Sequence, residues 1–309
     1  MKVVRLAWVL TLALMIMPPT TVAQTLEQLW QQGETAQAQK KYPEAERIWR
    51  QIIQLDPNSA VAFSNLCAAL FRQNKLDEAL IFCQKALALD PKLPETYKNI
   101  GNVLYGQKKL TEAEEMYRRA IALDDKYVDA YNNLGNVLSD QKKLKEAEEM
   151  FRRALALDDK YVYAYNGLGN VLYDQKKLKE AEEMYRRALA LDDKYVYAYN
   201  NLGNVLRDQK KLTEAEEMYR RALELDDKFV YAYNNLGNVL YEQKKLTEAE
   251  EMYRRALALD DQSVPAYYNL GNVLYEQKKL KEAEEMFRRA LALDDKYVYA
   301  YNGLGNVLY

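Results

Sequence analysis

The sequence predicts an all-α solenoid of stacked helix pairs, and three observations predict it. An octapeptide recurs at intervals of 34 residues: YNNLGNVL begins at residues 131, 199 and 233, YKNIGNVL at 97, YNGLGNVL at 165 and 301, and YYNLGNVL at 267. Each interval carries two apolar series with helical spacing, divided by a polar break. Neither series can enclose a core alone, so each pair must bury its face against its neighbours.

Alignment on the octapeptide glycine gives eight units, 26–59, 60–93, 94–127, 128–161, 162–195, 196–229, 230–263 and 264–297, and a partial ninth, 298–309. Positions 1 to 34 are counted within each unit. In 128–161, Tyr131, Leu134, Gly135 and Leu138 fall at i, i+3, i+4 and i+7, one face of a first helix. After the polar stretch 140–143, Leu144, Ala147, Phe151, Ala154 and Leu155 mark a second helix. Eight of the 11 glycines occupy position 8. Glycine inside a helix costs about 1 kcal/mol against alanine, so its recurrence calls for a packing reason. The expected reason is close approach to the alanines at positions 20 and 27 of the second helix.

An aromatic at position 4, Leu-Gly at 7 and 8, Leu at 11, Ala at 20, an aromatic at 24 and Ala at 27 make a unit that resembles the tetratricopeptide repeat. The resemblance covers residues 26–309 and implies a right-handed superhelix whose first helices line a concave groove. One departure is visible. The family's proline at position 32 is present at Pro57 and Pro91, but Asp125, Asp159, Asp193, Asp227, Asp261 and Asp295 replace it later. Softer turns are expected there, with the aspartate free to cap the next helix.

Residues 1–23 differ from the array at 24–309. Lys2 and Arg5 precede the apolar run Leu6–Met17, and Pro18-Pro19 interrupt it before Ala23. Twelve apolar residues are short for a membrane span, and the pattern is that of a secretory signal peptide cleaved near Ala23, with a retained anchor as the alternative. Export to a bacterial periplasm or the extracellular space is therefore expected. Removing this leader takes two positive charges from 44 Lys+Arg and none from 46 Asp+Glu, leaving 42 against 46, a net charge of −4. A mixed, slightly acidic surface excludes nucleic acid as the partner.

Catalytic chemistry finds little footing. There is no histidine, no phosphate-binding glycine loop and no nucleophile with a base beside it. The acids of EAEEMFRRAL have arginines four residues on (Glu148 with Arg152, Glu149 with Arg153), which makes them helix-stabilising pairs rather than metal ligands. No enzyme, metal or cofactor is expected. Cys67 and Cys83, at positions 8 and 24 of one unit, read as small core residues. An oxidising compartment favours the alternative, a disulfide between antiparallel helices.

The groove supplies the candidate site. Position 9 is asparagine in seven consecutive units, Asn102, Asn136, Asn170, Asn204, Asn238, Asn272 and Asn306, and position 5 adds Asn132, Asn166, Asn200, Asn234 and Asn302. Position 2 is tyrosine at Tyr163, Tyr197, Tyr231 and Tyr299. A carboxamide donates and accepts together, and tyrosine offers contact area with a polar tip, so the row suits an extended peptide or a helix. The competing view is that near-identical units copied these residues as scaffold. The carboxylate clamp of chaperone-binding relatives is excluded: Lys98, Asn102 and Asn133 match, but Tyr163 and Gly167 stand where two cations are needed. A non-catalytic interaction scaffold with a protein or peptide partner is the expectation. The alternative is the array of a larger or severed enzyme, such as a glycosyltransferase. The chain stops after the first helix of a unit, from which self-association through that half-unit is a further expectation.

Overall fold

The computed structural model describes residues 19–308, with side chains from residue 26, so residues 1–18 of the expected leader lie outside the described residues. Every regular element among the described residues is a helix. They fall into two compact bodies, one ending at Asp125 and one beginning at Lys126. The first holds α1 (Pro19–Ala38), α2 (Tyr42–Leu55), α3 (Ala60–Arg72), α4 (Leu76–Leu89), α5 (Pro94–Gly106) and α6 (Leu110–Leu123). The second holds α7 (Val128–Asp140), α8 (Leu144–Leu157), α9 (Val162–Asp174), α10 (Leu178–Leu191), α11 (Val196–Asp208), α12 (Leu212–Leu225), α13 (Val230–Glu242), α14 (Leu246–Leu259), α15 (Val264–Glu276), α16 (Leu280–Leu293) and α17 (Val298–Leu308). Within each body an odd-numbered helix packs on the even-numbered helix of its own unit, which packs on the first helix of the next. Successive odd-numbered helices also touch, α7 with α9 through to α15 with α17, so in the second body they form one continuous layer.

The turn inside each unit is a Schellman ending. In 128–161 the Lys143 N–H donates to Leu138 O at 2.8 Å and the Lys142 N–H to Ser139 O at 2.9 Å. The left-handed residue of that motif is usually glycine, yet here it is Lys142, with φ 63°. Lys40, Asn74, Lys108, Lys176, Lys210, Lys244 and Lys278 share this conformation, with φ of 60–65°. A side chain in that region costs about 1–2 kcal/mol, which the packing of both helices must offset.

The turn between units does not soften where aspartate replaces proline. The carboxylate at position 31 closes it in both versions: Asp90 Oδ1 accepts from the Lys92 N–H at 2.8 Å beside Pro91, and Asp158 Oδ1 from the Lys160 N–H at 2.9 Å beside Asp159. The backbone agrees, with φ −139° and ψ 100° at Asp90 and −141° and 100° at Asp158. Nor does position 32 cap the next helix, because the N-cap residue is position 34. Among the N-cap residues of α2–α16, only the Ser59 side chain caps its own helix, accepting from the Ala62 N–H at 3.3 Å.

The position-8 glycines of the full units face rings, not alanines. A Cβ on Gly135 would stand 2.8 Å from Phe151 Cε1, and one on Gly169 or Gly203 would stand 2.6 Å from Cε1 of Tyr185 or Tyr219. The smallest residue of the first helix seats the largest of the second. The alanines serve the contact between units: Ala188 at position 27 meets Ala198 at position 3 of the next unit in a buried cluster with Tyr165. In unit 60–93, Cys67 and Cys83 take the place of the glycine and the ring. They form a fully buried disulfide with Cα atoms 5.3 Å apart.

Glutamate at position 21 ties neighbouring units. Glu182 accepts from Arg186 of its own helix at 2.8 Å, then from Gln209 at 2.9 Å and Lys211 at 3.2 Å in the following unit. Glu46, Glu148, Glu216 and Glu250 repeat the arrangement with Lys75, Lys177, Lys245 and Lys279. The expected Glu148–Arg152 pair is present at 2.8 Å. Arg153 instead lies over the ring of Tyr131, 6.0 Å from its centroid.

Candidate functional site

The position-9 asparagines are held from below. Tyr117, Tyr185, Tyr219 and Tyr253, all at position 24, donate their hydroxyls to Oδ1 of Asn102, Asn170, Asn204 and Asn238, each at 2.7 Å. Burial pushes these phenols far above their usual range, so they stay protonated and act as donors. Asn136 and Asn272 have no such anchor, because Phe151 and Phe287 fill position 24 and carry no hydroxyl.

At three junctions of the second body, an asparagine at position 6 links a unit to the one before. Asn201 Nδ2 donates to Asn166 Oδ1 at 3.1 Å and Asn170 Oδ1 at 3.0 Å. Asn235 reaches Asn200 Oδ1 at 2.9 Å and Asn269 reaches Asn238 Oδ1 at 3.1 Å. In the first body Asn99 does the same toward Ser64, donating to its carbonyl and hydroxyl oxygens at 3.1 and 3.0 Å. Glycine takes position 6 after the two phenylalanine units. A Cβ on Gly167 would stand 2.4 Å from Phe151 Cε1, and one on Gly303 2.5 Å from Phe287 Cε1. Ring and neighbour therefore come as matched pairs, tyrosine with asparagine or phenylalanine with glycine.

The predicted residues consequently divide. Asn132 and Asn200 are buried, at 6% and 7% exposure, and do not present their amides to a groove. Asn234 is half-buried and bonds back to Val230 O at 3.4 Å. Asn102, Asn136, Asn166, Asn204, Asn238 and Asn272 are half-buried, and Asn170 is exposed. Tyr163, Tyr197 and Tyr231 project outward at 59%, 57% and 70% exposure.

Sequence reasoning missed the partner of those tyrosines. Position 34, just before the first helix, is also aromatic at Tyr127, Tyr161, Tyr195, Phe229 and Tyr297, and from Tyr161 to Tyr231 the two positions interleave into one row. Tyr161, Tyr163, Tyr195, Tyr197, Phe229 and Tyr231 follow one another with ring centroids 5.3–6.0 Å apart and steep interplanar angles. The signal was present in DKYVY and DKFVY, but position 34 lies outside both apolar series. Tyr161 is fixed by donating to Asp129 Oδ1 at 2.5 Å. Burial, with Tyr163, Tyr197 and Asp192 nearby, pushes Tyr195 up to about 12. The row breaks at Ser263 and Pro265, beyond which Tyr268 joins Tyr297 and Tyr299 in a second cluster.

At the other end of the first helices, positions 12 and 13 bond to each other between units. Tyr173 donates to Asp208 at 2.7 Å and Tyr241 to Glu276. Lys176, Lys244 and Lys278 lie over the rings of Tyr173, Tyr241 and Tyr275 at 5.3–5.7 Å. Among the described residues no group of three His, Cys, Asp or Glu side chains is placed to hold a metal ion, and no helix is long and apolar enough to cross a membrane.

A tetratricopeptide repeat family model matches residues 58–126, 93–160, 127–194, 161–228, 195–262 and 228–296, and a second one matches 29–59. The chain belongs to the tetratricopeptide repeat family. Such arrays are protein-interaction scaffolds, and this one is an all-α solenoid of that kind. Similar solved structures include the Cut9–Hcn1 hetero-tetramer of APC/C, at TM-score 0.75 and 17% identity over 91% of this chain. This chain spans about half of that one, 55% of its length. PilF of Pseudomonas aeruginosa is similar at TM-score 0.63 and 21% identity, over 70% of this chain and 98% of that one. YrrB, described as having an unusual peptide-binding site, is similar at TM-score 0.50 and 27% identity, over 61% and 97%. No curated protein matches the chain.

Proposed function

We propose that this tetratricopeptide array is an exported, non-catalytic scaffold that holds an extended peptide segment along the odd-numbered helices of its second body. The observation that carries it is that exposed Tyr163, Tyr197 and Tyr231 share a helical face with the position-9 amides of Asn170, Asn204 and Asn238, two turns along the same helices. Aromatic area beside fixed polar groups is the composition of a peptide-binding surface. The peptide-binding site named for YrrB supports the same use of such an array. Export is supported by the leader pattern in residues 1–23 and by the buried Cys67–Cys83 bond, which suits an oxidising compartment. The test is selection from a displayed random-peptide library by the wild-type chain and by a Tyr163→Ala, Tyr197→Ala, Tyr231→Ala variant. These side chains are exposed, so the variant is expected to melt with the wild type. Sequences enriched on the wild type and lost on the variant support peptide capture; equal enrichment on both refutes it.

A further inference from the structure

The hydrogen-bond inventory of the second body narrows the ligand further, and this step rests on the peptide-holding function just proposed. Carboxamides offer two lone pairs and two N–H groups. In three consecutive units the oxygens are already engaged, fully at Asn170 and Asn238 and by one bond each at Asn204 and Asn166. Asn170 Oδ1 accepts from both Tyr185 and Asn201, and Asn238 Oδ1 from both Tyr253 and Asn269. Asn204 Oδ1 accepts from Tyr219, and Asn166 Oδ1 from Asn201. The Nδ2 groups of these four asparagines have no acceptor within the protein, and none is among the buried unsatisfied atoms. The groove floor thus presents more free donors than acceptors, with the oxygens of Asn170, Asn204 and Asn238 turned toward the protonated tyrosines beneath.

We infer that the segment this groove receives is proline-rich and lies in the polyproline II conformation. An ordinary extended peptide brings an N–H for every carbonyl, and its donors would meet other donors here. A proline-rich strand brings carbonyls with few N–H groups, and polyproline II leaves those carbonyls free of internal bonds. Its rings are flat and apolar and pack against tyrosine faces with little loss of entropy. The rise of this helix also fits. Consecutive exposed tyrosines are two ring-to-ring steps of 5.3–6.0 Å apart, a path long enough to accommodate one three-residue turn of ~9 Å. The row from Tyr163 to Tyr231 comprises four such steps and can follow at most on the order of seven residues of such a strand.

The test uses the full chain and three fluorescent probes in anisotropy titrations: a twelve-residue proline peptide, an alanine-glutamine peptide of equal length, and a neutral oligosaccharide. The proline peptide is expected to bind at least ~tenfold more tightly than either other probe. Tyr197→Ala is expected to weaken it ~tenfold while Tyr197→Phe leaves it nearly unchanged, since the ring and not the hydroxyl makes the contact. A shift of the Asn170, Asn204 and Asn238 side-chain amide signals on titration is the readout that a nonspecific aromatic contact would not give. Equal binding of the two peptides, loss of which follows Tyr197→Ala, overturns the proline preference while leaving peptide capture standing. Preference for the oligosaccharide, or no binding by any probe, overturns the inference outright.

Discussion

Replacing Gly203 by alanine tests the ring-on-glycine contact that holds each unit together. The new methyl would stand 2.6–3.0 Å from three atoms of the fully buried Tyr219 ring. Restoring ordinary contact requires the ring to move by on the order of 1 Å, and its hydroxyl is tied to Asn204. Overpacking of this kind costs about 1–3 kcal/mol, and alanine returns about 1 kcal/mol of helix propensity. The net is a loss of up to about 2 kcal/mol. The same octapeptide contains its own control, because a Cβ on Gly305 meets nothing within 4 Å. Gly305→Ala is expected to stabilise α17 by up to about 1 kcal/mol. Repeat arrays need not unfold in one step, so amide hydrogen exchange read separately in α11, α12 and α17 is the suitable assay. Exchange should quicken in α11 and α12 for Gly203→Ala and slow in α17 for Gly305→Ala. Slower exchange in α11 and α12 would refute the steric reasoning, as would additivity when Gly203→Ala is combined with Tyr219→Leu.

Lys210 sits at φ 65°, and Lys210→Gly is expected to raise the urea midpoint by the equivalent of about 1 kcal/mol; an unchanged or lower midpoint would show that the turn relaxes in solution. Closing a loop of 16 residues, the Cys67–Cys83 bond is expected to contribute about 3 kcal/mol, measured as the loss of stability of the first body in the Cys67→Ala, Cys83→Ala variant, and titration of the unfolded, unreduced chain should find no free thiol. Burial opposes ionisation of Glu182, but hydrogen bonds from Arg186, Gln209 and Lys211 outweigh it and hold the carboxyl below the usual range, as happens at Glu46, Glu148, Glu216 and Glu250. The unfolded chain binds protons more readily at these sites, so their contribution is complete above about pH 4.5 and falls away as the pH drops through the folded values. Urea midpoints at pH 7 and pH 3.5 should therefore converge for Glu182→Gln relative to the wild type; an identical pH slope in the two proteins would count against the clasp.

The helices were legible because the 34-residue spacing places Tyr131, Leu134, Gly135 and Leu138 on one face whatever surrounds them. Partners across the unit were not. Spacing says that Gly135 and Ala154 both face inward, but not that the glycine meets Phe151 while such alanines meet the next unit. The exposure of individual asparagines was not legible for a related reason. Asn170 at position 9 and Asn200 at position 5 both accept from the following unit's position-6 asparagine, yet one side chain is exposed and the other buried, which residue type alone does not reveal. Tyr195 was passed over since it precedes the helix, where periodicity carries no information about side-chain direction. Local spacing reports a helix face; the identity of a neighbour is a property of the stack.

The matched pairs at positions 24 and 6 set a rule for how this gene can lengthen or shorten. Residues 141–173 recur without change at 277–309, so whole blocks of units have been copied in register. A recombination that joins Tyr185 to a unit beginning like 196–229 preserves the hydroxyl, the amide and the link. One that sets Phe151 before such a unit drives an asparagine side chain into the ring. Cuts between like junctions are silent and cuts between unlike ones are punished, so descendants of this array are expected to gain and lose units in combinations that keep each ring with its own successor.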